Sequence, residues 1–411
     1  MRASTLSPLA FVGLVKAATY NLASYGAGQS FLDQFFVLGG HNDTINGPAY
    51  DWWNNGDDFL APTSKAKELN ILSIDSTTGN VKLAVDPTPK IEFNQKRWSM
   101  RLESKHLYGL GTVFVFDAAH MPFGCSVWPA YWTSSVDWPN GGEIDIMEQV
   151  NKRTTNQMVR IPENPCTSGR EYHRKVILPN CQKQGENNSG CSTSDPRTTS
   201  FGEGFNSGGG GIWVTEFAET AISIWFFPRS EVPEALSAKT NATTIDTSTL
   251  GTPVAQLASG SNCDIKSNFD PQKVIINISL CGNFAGKTEV LNQSGCAVPA
   301  DKTCYNQYVL GYDQPEDFYK EAYFEVVSHR IFTTPSATVT IAEPGGVTED
   351  KPATDTPGGG NNGGTTGGTN GGSSTTNSGS TPSSTPTGAA SKTSASFAVA
   401  ALVLGFSAAL L

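Results

Sequence analysis

Three acids, Glu143, Asp145 and Glu148, alternate with apolar residues in the run Trp138-Pro-Asn-Gly-Gly-Glu-Ile-Asp-Ile-Met-Glu-Gln-Val150. On a regular strand side chains alternate, so Glu143, Asp145 and Met147 share one face and Glu148 points away. A β-bulge at Ile146–Met147 adds one residue, restores the parity and brings all three carboxylates to one surface. Clustered acids repel, so they are costly without a task or a cation. Two carboxylates about 5–5.5 Å apart suit a retaining glycosidase. One attacks the anomeric carbon; the other protonates the leaving oxygen and then activates water. The middle acid holds a proton or hydrogen bond that separates the pKa values of the outer two. Isolated acids would read as an ordinary solvated strand face, but flanking Gly141-Gly142 and apolar Ile144, Ile146 and Met147 argue against that. A calcium site is a further alternative, yet three acids alone lack the ligand-rich loop usual for that ion. No metal and no cofactor are expected.

The elements that must position these acids read as strands. Between Thr19 and Pro344 the pattern is short, β-branched or aromatic, and bounded by turn residues. Examples are Leu69–Ile74, Val81–Val85, Arg97–Glu103, Thr112–Phe116, Ala221–Phe227, Lys273–Leu280 and Ala322–Ile331. Ile222, Ile224 and Phe226 alternate as in a sheet with one buried face. Long 3.6-residue periodicities are scarce and no solenoid-length repeat is evident. The fold class is therefore all-β, a sandwich or jelly roll with long loops, in one globular domain.

Composition narrows the function. The 411 residues carry 28 basic and 38 acidic side chains, a net charge of −10, so no basic footprint for nucleic acid exists. Eight Trp and 10% aromatic residues supply a large core. Eight cysteines, with no CxxC pair and no HExxH, favour four disulfides in an oxidising compartment over zinc. Their pairing is open; Cys296 and Cys304 are near enough to close a short loop. The remaining histidines form no triad motif, and Gly208–Gly211 lacks the Lys-Ser/Thr of a phosphate loop.

The two ends read as addresses. Residues 1–18 combine Arg2, the apolar Leu6–Val15 stretch and small Ala17-Ala18, the order of a secretory signal peptide. Sequons at Asn42, Asn187, Asn241, Asn277 and Asn292 fit N-glycosylation along the same route. After the catalytic domain at 19–344, residues 345–396 form a stalk, nearly all Gly, Ser, Thr, Asn and Pro from Pro352 onward. Phe397–Leu411 is an apolar tail too short to span a bilayer, and with the spacer before it gives the signal for a GPI anchor. Asn377, Ser383 and Gly388 are the candidate attachment residues. The expectation is an extracellular monomer, GPI-anchored to the plasma membrane or cell wall.

The bulged Glu143-Ile-Asp-Ile-Met-Glu148 run resembles the signature of the glycoside hydrolase family 16 β-glucanases. Trp128-Pro-Ala-Tyr-Trp132, Trp138-Pro139, Thr154-Thr-Asn-Gln-Met158, Gly202-Glu-Gly-Phe-Asn206, Ala221–Arg229 and Val274–Gly282 look like blocks of the same family. The resemblance is closest to fungal GPI-anchored endo-1,3(4)-β-glucanases. It implies a concanavalin-like jelly roll of two curved antiparallel sheets with an open glycan cleft. Carried over residue by residue, it makes Glu143 the nucleophile, Asp145 the assisting acid and Glu148 the general acid/base. It places Trp138 in the sugar platform and Trp128 along the cleft; Trp132 and Trp225, by residue type alone, read as core packing. Two departures stand out: Val159-Arg-Ile161 where members carry a His, and Asn283-Phe284 where they carry Asp-Trp. The implied activity is hydrolysis of 1,3- or mixed 1,3/1,4-β-glucan. A wall-remodelling transglycosidase and a non-catalytic glycan-binding protein are the alternatives, the first disfavoured because transglycosylases of the family tend to the unbulged spacing.

Overall fold

Lys273–Leu280 shows how one strand writes two environments. Val274, Ile276, Ile278 and Leu280 are at most 1% exposed and face the core, while Lys273, Asn277 and Ser279 lie on the opposite face. That alternation recurs across a computed structural model describing residues 19–348, except 165, 167–174, 179–180, 182–189, 238–241 and 262. The signal peptide, the apolar tail, Asn377, Ser383 and Gly388, and the sequons at Asn187 and Asn241 lie outside the described residues.

Two large antiparallel sheets face each other. One is eight-stranded, in the order Lys175–Leu178, Cys191–Ser194, Gln157–Ile161, Glu143–Glu148, Val127–Ser134, Lys273–Leu280, Arg101–Ser104 and Phe35–Val37. The other is nine-stranded, with Tyr323–Thr333 between Thr19–Gly26 and Thr112–His120, and Gly211–Phe217 and Ala221–Pro228 beyond. The expected jelly roll is present. Its core is aromatic: Phe116 stacks on Tyr131 at 4.1 Å, and Trp213 lies 4.8 Å from Phe226 and 5.0 Å from Phe205. Each such buried side chain contributes about 1.5–3 kcal/mol of transfer energy.

The Ala221–Pro228 strand departs from the one-buried-face reading. Ile222, Ile224 and Phe226 face the main core, but Trp225 is also buried, at 5% exposed. A second, smaller core covers the back of the nine-stranded sheet, built from Tyr20, Val113, Val115, Ile212, Val214 and Trp225 under Leu236, Ile245 and Leu250. The long connection after Pro228 folds back over that face, so alternation there no longer separates core from solvent.

All eight cysteines are paired, as Cys125–Cys296, Cys166–Cys263, Cys181–Cys191 and Cys281–Cys304. The short Cys296–Cys304 loop does not form: Cys296 pairs with Cys125, just before Val127–Ser134, and Cys304 with Cys281, just after Lys273–Leu280. Residues 345–348 still pack on the domain: Gly345 N donates to Glu103 Oε2 at 3.0 Å and Val347 bridges Gly39.

Candidate active site

The Glu143–Glu148 strand lies between Val127–Ser134 and Gln157–Ile161. Its register runs Glu143 opposite Ser134 and Asp145 opposite Trp132, then slips so that Met147 faces Tyr131 and Glu148 faces Ala130. Ile146 is the extra residue. The bulge therefore sits where parity demanded it, and all three acids occupy successive positions on the sheet's open face. Ile144, Ile146 and Met147 are fully buried beneath them. Gly141 and Gly142 feed the strand with φ of +66° and +80°, and a Cβ at 142 would lie 2.4 Å from the Phe269 ring. Only glycine satisfies both demands.

Each outer acid is held by an indole. Trp138 Nε1 donates to Glu143 Oε2, and Trp128 Nε1 donates to Glu148 Oε1 at 2.8 Å. Trp138 is 51% exposed, so its ring stands free beside Glu143. Trp128 meets Phe284 edge-on, with ring centroids 5.6 Å apart. The aromatic at 284 thus braces the indole that orients Glu148.

Removal from water raises all three carboxyls. Glu143 is pushed up to about 7 by burial and then by the Glu148 charge, against hydrogen bonds from Trp138 and Asp145. Glu148 is also pushed up to about 7 by burial, opposed by the Trp128 hydrogen bond. Asp145, 5% exposed, lies well above the usual range through burial and the charges of Glu143 and Glu148. Asp145 is thus the acid that keeps its proton and donates it in a hydrogen bond to ionised Glu143. Environment thus sets Asp145 apart as the proton holder, while Glu143 and Glu148 are raised alike.

A stability consequence follows from these directions. Glu148 binds its proton more tightly folded than unfolded. The favourable term is complete below the ordinary value of 4.5 and is lost as pH rises through about 7. One pKa unit is ~1.4 kcal/mol, and screening at this partly exposed acid leaves roughly 1–2 kcal/mol. Glu148→Gln should therefore exceed wild type in urea stability by that amount at pH 8 and match it at pH 4. A variant less stable than wild type at pH 8 contradicts the burial argument.

The rest of the open face holds residues that sequence reasoning missed. Glu103 is fully buried between Arg101 at 2.8 Å and Lys273 at 2.7 Å. Burial pushes its carboxyl up, but those two cations outweigh it and hold it below the usual range. The Arg101 guanidinium lies 4.4 Å from the Trp53 ring and 5.5 Å from that of Trp132. The signal was the pair of opposite charges at Arg101 and Glu103, two apart and so on one face of their strand. Trp132 is not a core residue: it lies on the open face opposite Asp145, half-buried, and donates to Asn277 Oδ1 at 2.8 Å. Trp225, by contrast, does pack inside.

The same hydrogen bond corrects a sequon. Asn277 is 2% exposed at the centre of the sheet and its oxygen is taken by Trp132, so no glycan fits there. Asn42 and Asn292 are exposed. At the position expected to hold a His, Ile161 faces Glu143 across the ladder and Val159 faces Asp145, both at most 5% exposed. This side of the triad is apolar, which fits the upward shifts. Among the described residues no group of three or more His, Cys, Asp or Glu is arranged to hold a metal ion.

Comparison with known proteins agrees with this geometry. Residues 50–332 match the XgeA-like, catalytic GH16 domain. The chain is 33% identical over 322 residues to a probable glycosidase of Schizosaccharomyces pombe, covering 77% of this chain and 70% of that protein. It is 34% identical over 334 residues to an endo-1,3(4)-β-glucanase of Emericella nidulans, covering 79% of this chain but only 49% of the relative. Thus the chain spans about half the length of that glucanase. Laminarinase 16A from Phanerochaete chrysosporium, solved with β-glucans in donor and acceptor sites, superposes with a TM-score of 0.66 at 31% identity, covering 77% of this chain and all of that one. An elongating family 16 β-1,3-glucosyltransferase gives 0.67 at 29% identity over 76% of this chain and all of its own. The family match over most of the chain and these relatives show that this chain belongs to glycoside hydrolase family 16.

Proposed function

We propose that the protein is a retaining endo-β-glucanase acting on 1,3- or mixed 1,3/1,4-linked β-glucans of cell walls. The observation that carries this reading is the pair Glu143 and Glu148 on one face, each fixed by an indole, with Asp145 between them. Glu143 carboxylate attacks the anomeric carbon as the glycosidic C–O bond breaks, and the Glu148 proton passes to the leaving oxygen. Glu148, now a carboxylate, takes a proton from water; the oxygen of that water forms the new bond to the anomeric carbon. The ester to Glu143 breaks, and Glu143 leaves as carboxylate. Asp145 donates to Glu143 throughout and so tunes its charge without entering a bond. Exposed Trp138 offers an aromatic face to the apolar C–H face of a pyranose beside the nucleophile.

Two inversions give net retention, so proton NMR of the first products from laminarin or lichenan should show the β-anomer. An initial α-anomer overturns the mechanism. A second reading, transfer of the glycosyl ester to another glucan, draws on the elongating glucosyltransferase among the similar structures. The same product mixture separates the two, since transfer lengthens added oligosaccharides. Export and GPI anchoring belong to the proposal as well; four disulfides on the domain are in keeping with an oxidising, extracellular setting.

A further inference from the structure

A bulge strips backbone groups of their ladder partners, and here one side chain takes two of them. Between Glu143–Glu148 and Gln157–Ile161 the pairing runs through Asp145–Val159 and then jumps to Glu148–Gln157. Asn156 spans this gap. Its Nδ2 donates to Ile146 O at 2.9 Å and its Oδ1 accepts from Glu148 N at 3.0 Å. The residue is 1% exposed and is itself fixed. Its backbone N donates to Ser200 Oγ at 2.9 Å, and its carbonyl accepts from Asp195 N at 3.0 Å. Ser200 Oγ in turn donates to Arg197 O at 2.6 Å, and Arg197 is ion-paired with buried Asp195.

We propose that Asn156 is the positioning residue for the Glu148 acid/base, an inference that rests on the retaining reading above. An amide presents a donor and an acceptor side by side, which is what a bulge with one free carbonyl and one free N–H requires. Aspartate keeps the acceptor and, when ionised, loses the donor. Alanine loses both. Without the clamp, Ile146 O and Glu148 N are orphaned in a buried place, and the strand gains by sliding toward regular pairing. That slide turns Glu148 toward the other face, because a one-residue change of register inverts parity. Asn156 thus fixes Glu148 through the backbone and Trp128 fixes it through the carboxylate.

The test compares two substrates. A laminari-oligosaccharide needs its leaving oxygen protonated; a dinitrophenyl β-laminaribioside does not, but still needs base help for the second step. Asn156→Ala should lower kcat on the oligosaccharide about 100-fold with KM within about threefold. The first release of dinitrophenolate should stay within about threefold of wild type, and azide should restore its steady-state turnover. Asn156→Asp, which keeps the volume, should show the same pattern with a smaller loss, and it decides the matter if the alanine variant does not fold. Exchange of the Glu148 amide hydrogen should also accelerate in either variant. Equal losses on both substrates, or an unchanged kcat on the oligosaccharide, overturn the positioning role. An α-anomeric product from wild type overturns the retaining reading instead, whatever the amide exchange shows.

Discussion

Glu143→Gln should leave no measurable hydrolysis of β-glucan, a loss of at least about 10⁴-fold in kcat. The amide is nearly isosteric and still accepts from the Trp138 indole. It is, however, neutral and a poor nucleophile, and cannot form the ester. Folding should not suffer: replacing a carboxyl that burial has raised to about 7 removes a charge from an unfavourable place. A reducing-end assay on laminarin, with circular dichroism of the same sample, measures both. A loss below tenfold in a folded variant would put the nucleophile elsewhere.

Glu148→Ala should lose about 10²–10⁴-fold on natural glucan, the range expected when a proton donor is removed. The loss should be conditional in a way that the first is not. On a dinitrophenyl glycoside the ester still forms, and azide attacks it without base assistance, giving a β-glycosyl azide. The pH profile carries a second signature. In wild type the basic limb should fall near 7, where Glu148 gives up its proton and no longer protonates the leaving oxygen. That limb should vanish in the alanine variant on activated substrates. Failure of azide to increase turnover, or a basic limb that persists, removes Glu148 from the acid/base role.

Much of the catalytic strand was legible because parity is a strict rule. Acids at 143, 145 and 148 do not share a face unless a residue is added, and the apolar Ile146-Met147 pair was the one place to add it. The Lys273–Leu280 strand was equally clear, since Val274, Ile276, Ile278 and Leu280 recur at every second position in a run rich in β-branched residues. What stayed hidden depends on distant pieces of chain. Trp132 looks like core by composition, and only the register with Asp145 and Asn277 turns it to the open face. Asn277 reads as a glycan acceptor until its strand is placed at the sheet's centre. Asn156 carries no chemistry of its own, so nothing in its type announced that it would hold the bulge. The cysteines illustrate the same limit: partners 171 residues apart, as in Cys125–Cys296, are set by the assembled sheet margin and not by spacing.

The pairing of Thr19–Gly26 with Tyr323–Thr333 has a consequence in time. Leu22 lies opposite Phe332, so the inner of the first strand's two partners is separated from it by some three hundred residues, and the outer, Thr244–Asp246, by more than two hundred. At a synthesis rate of about 5–20 residues per second, that strand waits roughly 15–60 s before its neighbour exists. Thr112–His120, at the middle of the same sheet, likewise waits on Tyr323–Thr333, some two hundred residues further along the chain. A sheet built this way cannot close in instalments from the N-terminus. Its edges stay open meanwhile, and polar residues such as Thr19, Asn21 and Ser24 along the first strand limit what it can stick to.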